Sequence, residues 1–244
     1  MPPGNPKSTN ASSTPSDQVN TARRLLCFGL LQTRACVLPT WRGLLLGGFV
    51  ALICTVLVGR NLYGFLAVSD PVPGGVLVVE GWVPPIAVRE TVAEYHRHPY
   101  LAIYATGLPM EEGNPYIGFH NYAEFTAAKL IEMGAPAAST HAVSTSPVER
   151  NRTYSMATAL KHRLEADGIS AAKINVVSYG PHARRSRLLY EEVFGPQTKV
   201  GILSVIEPEF DPNHWWKNSE GVRGVIGEGL AYLYARLLFH PIDD

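Results

Sequence analysis

From Thr55 to the C-terminus the chain has no cysteine; Cys27, Cys36 and Cys54 all precede it. Disulfides and thiolate chemistry are thereby excluded from the larger part of the protein, which must be held by a packed core. No G-x-x-x-x-G-K-[ST] loop occurs, no G-x-G-x-x-G follows an apolar run, and no serine sits in a G-x-S-x-G turn. The usual signatures of nucleotide cradles and nucleophile elbows are therefore missing. His96-x-His98 is the only close histidine pair and no thiol ligand lies near it, so no metal site is expected. Net charge is absent too, with 21 basic residues against 21 acidic ones.

That balance hides an asymmetry. Residues 1–69 carry six Lys/Arg against one acid, and residues 70–244 carry 15 against 20. The acidic C-terminal part is a poor general nucleic-acid binder, so no nucleic-acid partner is expected. The N-terminal tract, rich in Pro, Ser, Thr and Asn, cannot bury enough surface to order itself; residues 1–40 read as a disordered tail.

Gly43 to Gly59, GLLLGGFVALICTVLVG, is 17 residues without a charge, closed by Arg42 and Arg60. At 1.5 Å per residue it spans about 26 Å, and arginines reaching outward at both ends cover the remaining hydrocarbon thickness. A transmembrane anchor over 41–66 is predicted. A buried core helix and a cleavable signal peptide are the alternatives; no clean A-x-A site follows, Phe65-Leu66-Ala67 being a poor one. Lys7, Arg23, Arg24, Arg34 and Arg42 precede the span and only Arg60 follows closely. The positive-inside rule then keeps the N-terminus in the cytoplasm and puts 70–244 outside, on the inner (cytoplasmic) membrane of the cell.

Beyond Asp70, short apolar runs alternate with amphipathic stretches, which predicts an α/β fold: a Rossmann-like three-layer sandwich with a mostly parallel sheet of about five strands. Strands are expected at 76–79, 101–105, 141–144, 174–178 and 199–205. Helices are expected after Pro84-Pro85, over 121–133, over 152–166 and after Pro181. A final helix carries Val222, Val225, Ile226, Leu230, Leu233, Tyr234 and Leu237 on one stripe. A core-facing helix capping the sheet is expected there, with a membrane-surface helix as the alternative.

In open α/β sheets ligands bind at the carboxyl ends of the strands. INVVSYGPHARRSR is the sharpest such place: a strand runs through Gly180-Pro181 into a helix start bearing His182, Arg184, Arg185 and Arg187. Free N–H groups and the dipole there favour an anion, and His182 and Arg185, three apart, share a face. Arg185 offers a two-pronged contact to phosphate or carboxylate, and His182 a proton; Arg184 and Arg187 read as solvated, with an i,i+4 pair from Arg187 to Glu191. Glu80 ends an apolar strand, where a lone charge would be costly, so it needs a partner; Arg152 and Arg223 are the structural candidates, and a ligand role is the other reading. Trp215, in the aromatic stretch before the last helix, either stacks on a sugar or base or seals the loop against that helix.

The succession VLVVEGW, YATGLP, YAEFTAAKLIEMGAP, RNRTYSMATAL and VVSYGPHARRSRLLYEEVFG, over roughly Val76 to Val205, resembles the SanA/ElyC/YdcF family. That resemblance implies an α/β domain of unknown function, often attached to one membrane helix and associated with the cell envelope. Carried over by motif, it implicates Gly81, Thr106, Gly107, Glu124, Thr153, His182 and Arg185. Two departures stand out. Glu80-Gly81-Trp82 replaces a glycine-rich turn, and Ser155 and Met156 stand where the Glu and Asn of a Thr-x-Glu-Asn motif would fall.

Together these readings select His182 and Glu80 as candidate catalytic residues. Candidate ligand contacts are Gly81, Trp82, Thr106, Gly107, Glu124, Arg152, Thr153, Gly180, Arg185 and Trp215. The expected ligand is an anionic small molecule or a lipid-linked saccharide. A non-catalytic envelope scaffold and a binder of a nucleotide-like cofactor such as S-adenosylmethionine are the alternatives, the latter suggested by the resemblance.

Overall fold

The structure, a computed structural model, describes residues 25–26, 31–32, 39–110 and 118–241. The tail expected over 1–40 lies largely outside them, as does much of the loop LPMEEGNPYIGF. The chain forms two compact units, 1–51 and 52–244. In the first, Leu25–Leu26 pairs antiparallel with Leu31–Gln32, and helix α1 begins.

Helix α1 runs over Trp41–Leu66, with the Thr40 hydroxyl accepting from the Gly43 amide at its start. It is long and apolar enough to cross a membrane: its most apolar 18-residue window has a mean hydropathy of 2.0, and none of that window is buried.

Beyond it, strands β1 (Val76–Glu80), β2 (Ile103–Gly107), β3 (Thr140–Ser144), β4 (Lys173–Tyr179) and β5 (Lys199–Val205) form one parallel sheet in the order β3-β2-β1-β4-β5. Helices α2 (Pro85–Arg97), α3 (Tyr122–Glu132), α4 (Arg152–Ala166) and α5 (Ala183–Phe194) supply the crossovers, and α6 (Ser219–Leu237) follows β5. This is the Rossmann-like arrangement the alternation of apolar and amphipathic stretches predicts. The helix starts have visible causes: Pro85 fits the first turn of α2, and the Asn121 and Asn218 side chains accept amide hydrogen bonds at the starts of α3 and α6.

Strand alternation divides the core between the two faces. Val76 and Val78 pack with Leu160, Leu164 and Tyr190 from α4 and α5, whereas Leu77 and Val79 pack with Ala87, Val88 and Leu130 from α2 and α3. Glu80, next in the even series, therefore faces α5. The strand order reverses between β1 and β4, so the crevice that an open sheet of this kind offers opens beside Glu80 and Gly180.

The expectation that the stripe of α6 caps the sheet is corrected. Val225 is fully buried, but Val222, Ile226, Leu230, Leu233, Tyr234 and Leu237 are all exposed. The helix instead turns a narrower face inward. Gly221 approaches the Trp215 carbonyl, and Val225 joins Tyr63, Leu66 and Trp215 in a small cluster. Periodicity reveals that a helix has an apolar face, not which neighbour covers it.

Candidate functional site

Glu80 has no exposed surface. Because Val79 pairs with Val177 in the sheet, Ser178 stands next to Glu80 on the adjacent strand, and its hydroxyl donates to Oε2 at 2.7 Å. Ser186, projecting from α5 one turn after His182, donates to Oε1 at 2.9 Å. His182 Nε2 lies 3.7 Å from the same oxygen. The partner that Glu80 required is thus two hydroxyls and an imidazole. It is neither Arg152, which is exposed, nor Arg223, which pairs on the surface with Glu220. Burial pushes the Glu80 carboxyl up, but the His182 charge and the three hydrogen-bonding side chains outweigh it and hold the group below its ordinary value.

His182 is itself buried, wedged between Glu80 and Glu228. Its Nδ1 lies 3.0 Å from Glu228 Oε1 and 2.8 Å from Arg185 Nη2. One ring nitrogen cannot donate to the first and accept from the second at once. Burial pushes the imidazole pKa down, yet the Glu80 charge and the Glu228 hydrogen bond push it up further, against the opposing charge of Arg185; the net direction is upward. A proton on Nδ1 donated to Glu228 fits that balance. Arg185 is then held by Glu228 alone, Nε to Oε2 at 2.8 Å and Nη2 to Oε1 at 3.0 Å, in a two-pronged pair. Burial works against the Glu228 charge, but His182 and Arg185 draw its carboxyl down to about 2.

Beside this cluster lies a cavity of about 530 Å³. Trp82, Arg152, Thr153, His182, Arg185 and Glu228 line its polar side; Leu108, Met156, Leu189, Ala231, Tyr234 and Phe239 give it apolar walls. Trp82 sets its ring edge-on to His182, with centroids 4.8 Å apart. Thr153 Oγ1 stands 3.5 Å from His182 Nε2 at the start of α4. Asn151, immediately before that helix, adopts a left-handed conformation at φ 52° and also lines the cavity. Arg152 has no ion-pair or hydrogen-bond partner among the described residues. The site can therefore seat a ligand with an apolar body and a polar head, with a paired imidazole and one uncommitted guanidinium at the polar end.

The structure brings together five of the sequence-selected residues around the cavity, namely Trp82, Arg152, Thr153, His182 and Arg185, with Glu80 directly behind His182. The others lie elsewhere. Gly81 and Gly107 serve close packing: a Cβ on Gly81 would sit 2.6 Å from the Thr106 carbonyl oxygen, and one on Gly107 would sit 2.3 Å from the Ala123 amide nitrogen. Thr106 is buried and donates to the Val79 carbonyl. Glu124 accepts from the His120 amide at the start of α3 and meets neither Arg185 nor His182. Gly180, at φ 51°, packs against the Glu207 side chain. Trp215 takes the sealing role, buried with its Nε1 donating to the Gly59 carbonyl at 3.0 Å.

The surface pair from Arg187 to Glu191 forms as expected, at 2.9 Å, and Arg187 also reaches Asp70. Arg184 is not simply solvated; its guanidinium lies 4.0 Å over the Phe65 ring and donates to the Phe65 carbonyl. Glu228 was not selected from the sequence. Its one signal is that it is the lone acid in the middle of an otherwise apolar and glycine-rich helix.

Fold and site together define a Rossmann-like α/β domain that follows a helix long and apolar enough to cross a membrane. Comparison with models of known protein families and with curated proteins returns no match.

Proposed function

We propose that this chain is a membrane-anchored α/β domain of the cell envelope that binds an anionic small molecule or a lipid-linked saccharide in the cavity beside His182. One observation carries the reading: an amphipathic cavity at the strand-order reversal, with the uncommitted Arg152 and the buried His182 at its polar end. The anion contact moves from Arg185, which Glu228 already engages in both prongs, to Arg152. The apolar walls suit a lipid-linked ligand better than a bare anion. The resemblance to the SanA/ElyC/YdcF family, which rests on the order of its motifs, agrees with an envelope role. The charge bias around α1 supports an N-terminus in the cytoplasm and a cavity outside it.

The test is mass spectrometry of lipids and metabolites retained by the full chain in mild detergent. Wild type and an Arg187→Ala control should carry the same anionic species, and Arg152→Ala and Trp82→Ala should lose it while melting normally. Equal retention by all four proteins, or none by wild type, overturns the reading. A second reading, a non-catalytic scaffold, draws on the mutual pairing of His182, Arg185 and Glu228. It predicts that variants of those three lose stability and nothing else. For the compartment, a reporter fused after Asp244 should be active only outside the cytoplasm.

A further inference from the structure

Among the described residues, the outer face of α6 is largely uncovered. Val222, Ile226, Leu230, Leu233 and Leu237 recur every three or four residues, which aligns them on one stripe, and their exposures run from 41% to 67%. The opposite face is occupied: Gly221 and Val225 turn into the molecule, and Glu228 holds Arg185 and His182. Five aliphatic side chains on one stripe, this far out in water, form a contiguous apolar patch that needs an occupant.

The position of the stripe selects that occupant. Helix α6 meets the C-terminal end of α1, where Gly229 leaves room for Leu62 and Leu66, each 3.9 Å from where its Cβ would be, and where Tyr232 packs edge-on against Phe65. Just before α6, Trp215 donates to the carbonyl of Gly59, the last residue of the uncharged run. From Gly59 to Leu66 the helix rises about 10 Å, roughly the depth of a lipid headgroup layer and its boundary with the acyl chains. Exposed Phe65 lies within this stretch and exposed Trp216 packs beside Trp215, the residues that interfacial aromatics supply, and exposed Arg223 and Arg236 lie on α6 with side chains long enough to reach past the stripe.

From this we infer that the Val222–Leu237 stripe of α6 rests on the bilayer surface, buried in the headgroup and acyl-chain boundary beside the exit of α1. The inference rests on the reading of α1 as a membrane span. It goes beyond that reading in making α6 a second, in-plane attachment, which fixes how the domain is tilted on the membrane. Helix α6 also lines the cavity with Glu228, Ala231 and Tyr234, so the ligand-binding wall and the lipid-facing surface are two sides of one helix. A lipid-linked ligand would then need to travel no further than the width of that helix.

Depth-dependent quenching tests this in the full chain. The protein is reconstituted into phosphatidylethanolamine and phosphatidylglycerol vesicles carrying doxyl-labelled lipid, with Cys27 and Cys36 changed to Ser. One protein is labelled with an environment-sensitive fluorophore at its own Cys54. Three others carry Cys54→Ser and a single label at Leu230→Cys, Leu233→Cys or the exposed control Glu132→Cys. Headgroup-proximal doxyl lipid should cut the emission at positions 230 and 233 to about half, leave position 132 unchanged, and shift the 230 and 233 emission to the blue. Mid-chain doxyl lipid should quench Cys54. Emission at 230 and 233 no more quenched than at 132, with Cys54 quenched, overturns the inference while the span stands; an unquenched Cys54 overturns the span and the inference together. Disulfide-linked dimers of the unlabelled Leu230→Cys protein under mild oxidation, with no lipid quenching of its labelled form, assign the stripe to a second copy and also overturn it.

Discussion

Replacing Glu228 with Gln removes the one carboxylate that engages both His182 and Arg185 while keeping the shape of the side chain. Its carboxyl is drawn from an ordinary value of 4.5 to about 2, and each pKa unit is worth about 1.4 kcal/mol between protonation states. Undiscounted, that is about 3 kcal/mol of folding stability; with 23% of the side chain open to water, we expect a loss of about 2 kcal/mol. Urea unfolding of the full chain in mild detergent, followed by tryptophan emission, provides the assay, with Glu220→Gln as the exposed control.

The pH dependence has a definite sign. A carboxyl whose folded pKa lies below its unfolded one stabilises the fold above the unfolded value and loses that stabilisation as pH falls through the folded one. The gap between wild type and Glu228→Gln should therefore close as pH falls from 4.5 toward 2, and should also narrow as pH rises through the raised value of His182, whose protonated ring supplies part of the interaction. A loss no larger than that of Glu220→Gln, or a gap undiminished at pH 2, would refute the reasoning.

Glu207 should behave in the opposite sense. Burial, with Glu209 and Glu228 nearby, raises its carboxyl to about 7, and its Oε2 is buried without a hydrogen-bond partner. Wild type should lose stability as pH rises from 4.5 to about 7, and Glu207→Gln should flatten that slope in thermal melts at several pH values. Gly107→Ala would drive a Cβ into the backbone at Ala123 and should cost about 3 kcal/mol or more, measured by the same urea titration. Val225→Ala should cost about 2 kcal/mol because Val225 is fully buried, whereas Ile226→Ala and Leu233→Ala should change detergent-state stability by less than about 0.5 kcal/mol. Equal losses at all three would restore a core-facing stripe.

The strands and helices beyond Asp70 were legible because each is a local pattern: an apolar run, an amphipathic stretch, a proline at a first turn. The position of the crevice followed as well, since a strand followed by Gly180-Pro181 and a helix rich in basic residues has few other places to go. Partnerships between distant elements were not legible, unlike the i,i+4 pair of Arg187 with Glu191. Ser178 and Ser186 neutralise the cost of burying Glu80, but only the register of β4 beside β1 and the docking of α5 reveal them. Glu228 lies 46 residues from His182 on a helix whose loudest pattern faces away from the site. Trp215 was read with two roles open because an indole among polar residues fits a sugar platform or a packed seal equally well. In the fold it is buried, with its ring nitrogen bonded to Gly59.

The central claim is that the cavity between Trp82, Arg152, His182 and Tyr234 holds a ligand. Its most direct test is a high-resolution structure of the full chain extracted from its native membrane in mild detergent, with nothing added. The account predicts non-protein density in the cavity, an anionic group within hydrogen-bond reach of the Arg152 guanidinium, and an apolar portion along Leu189, Tyr234 and Phe239. A cavity closed by its own side chains, or one filled only by water with Arg152 turned to bulk solvent, would contradict it.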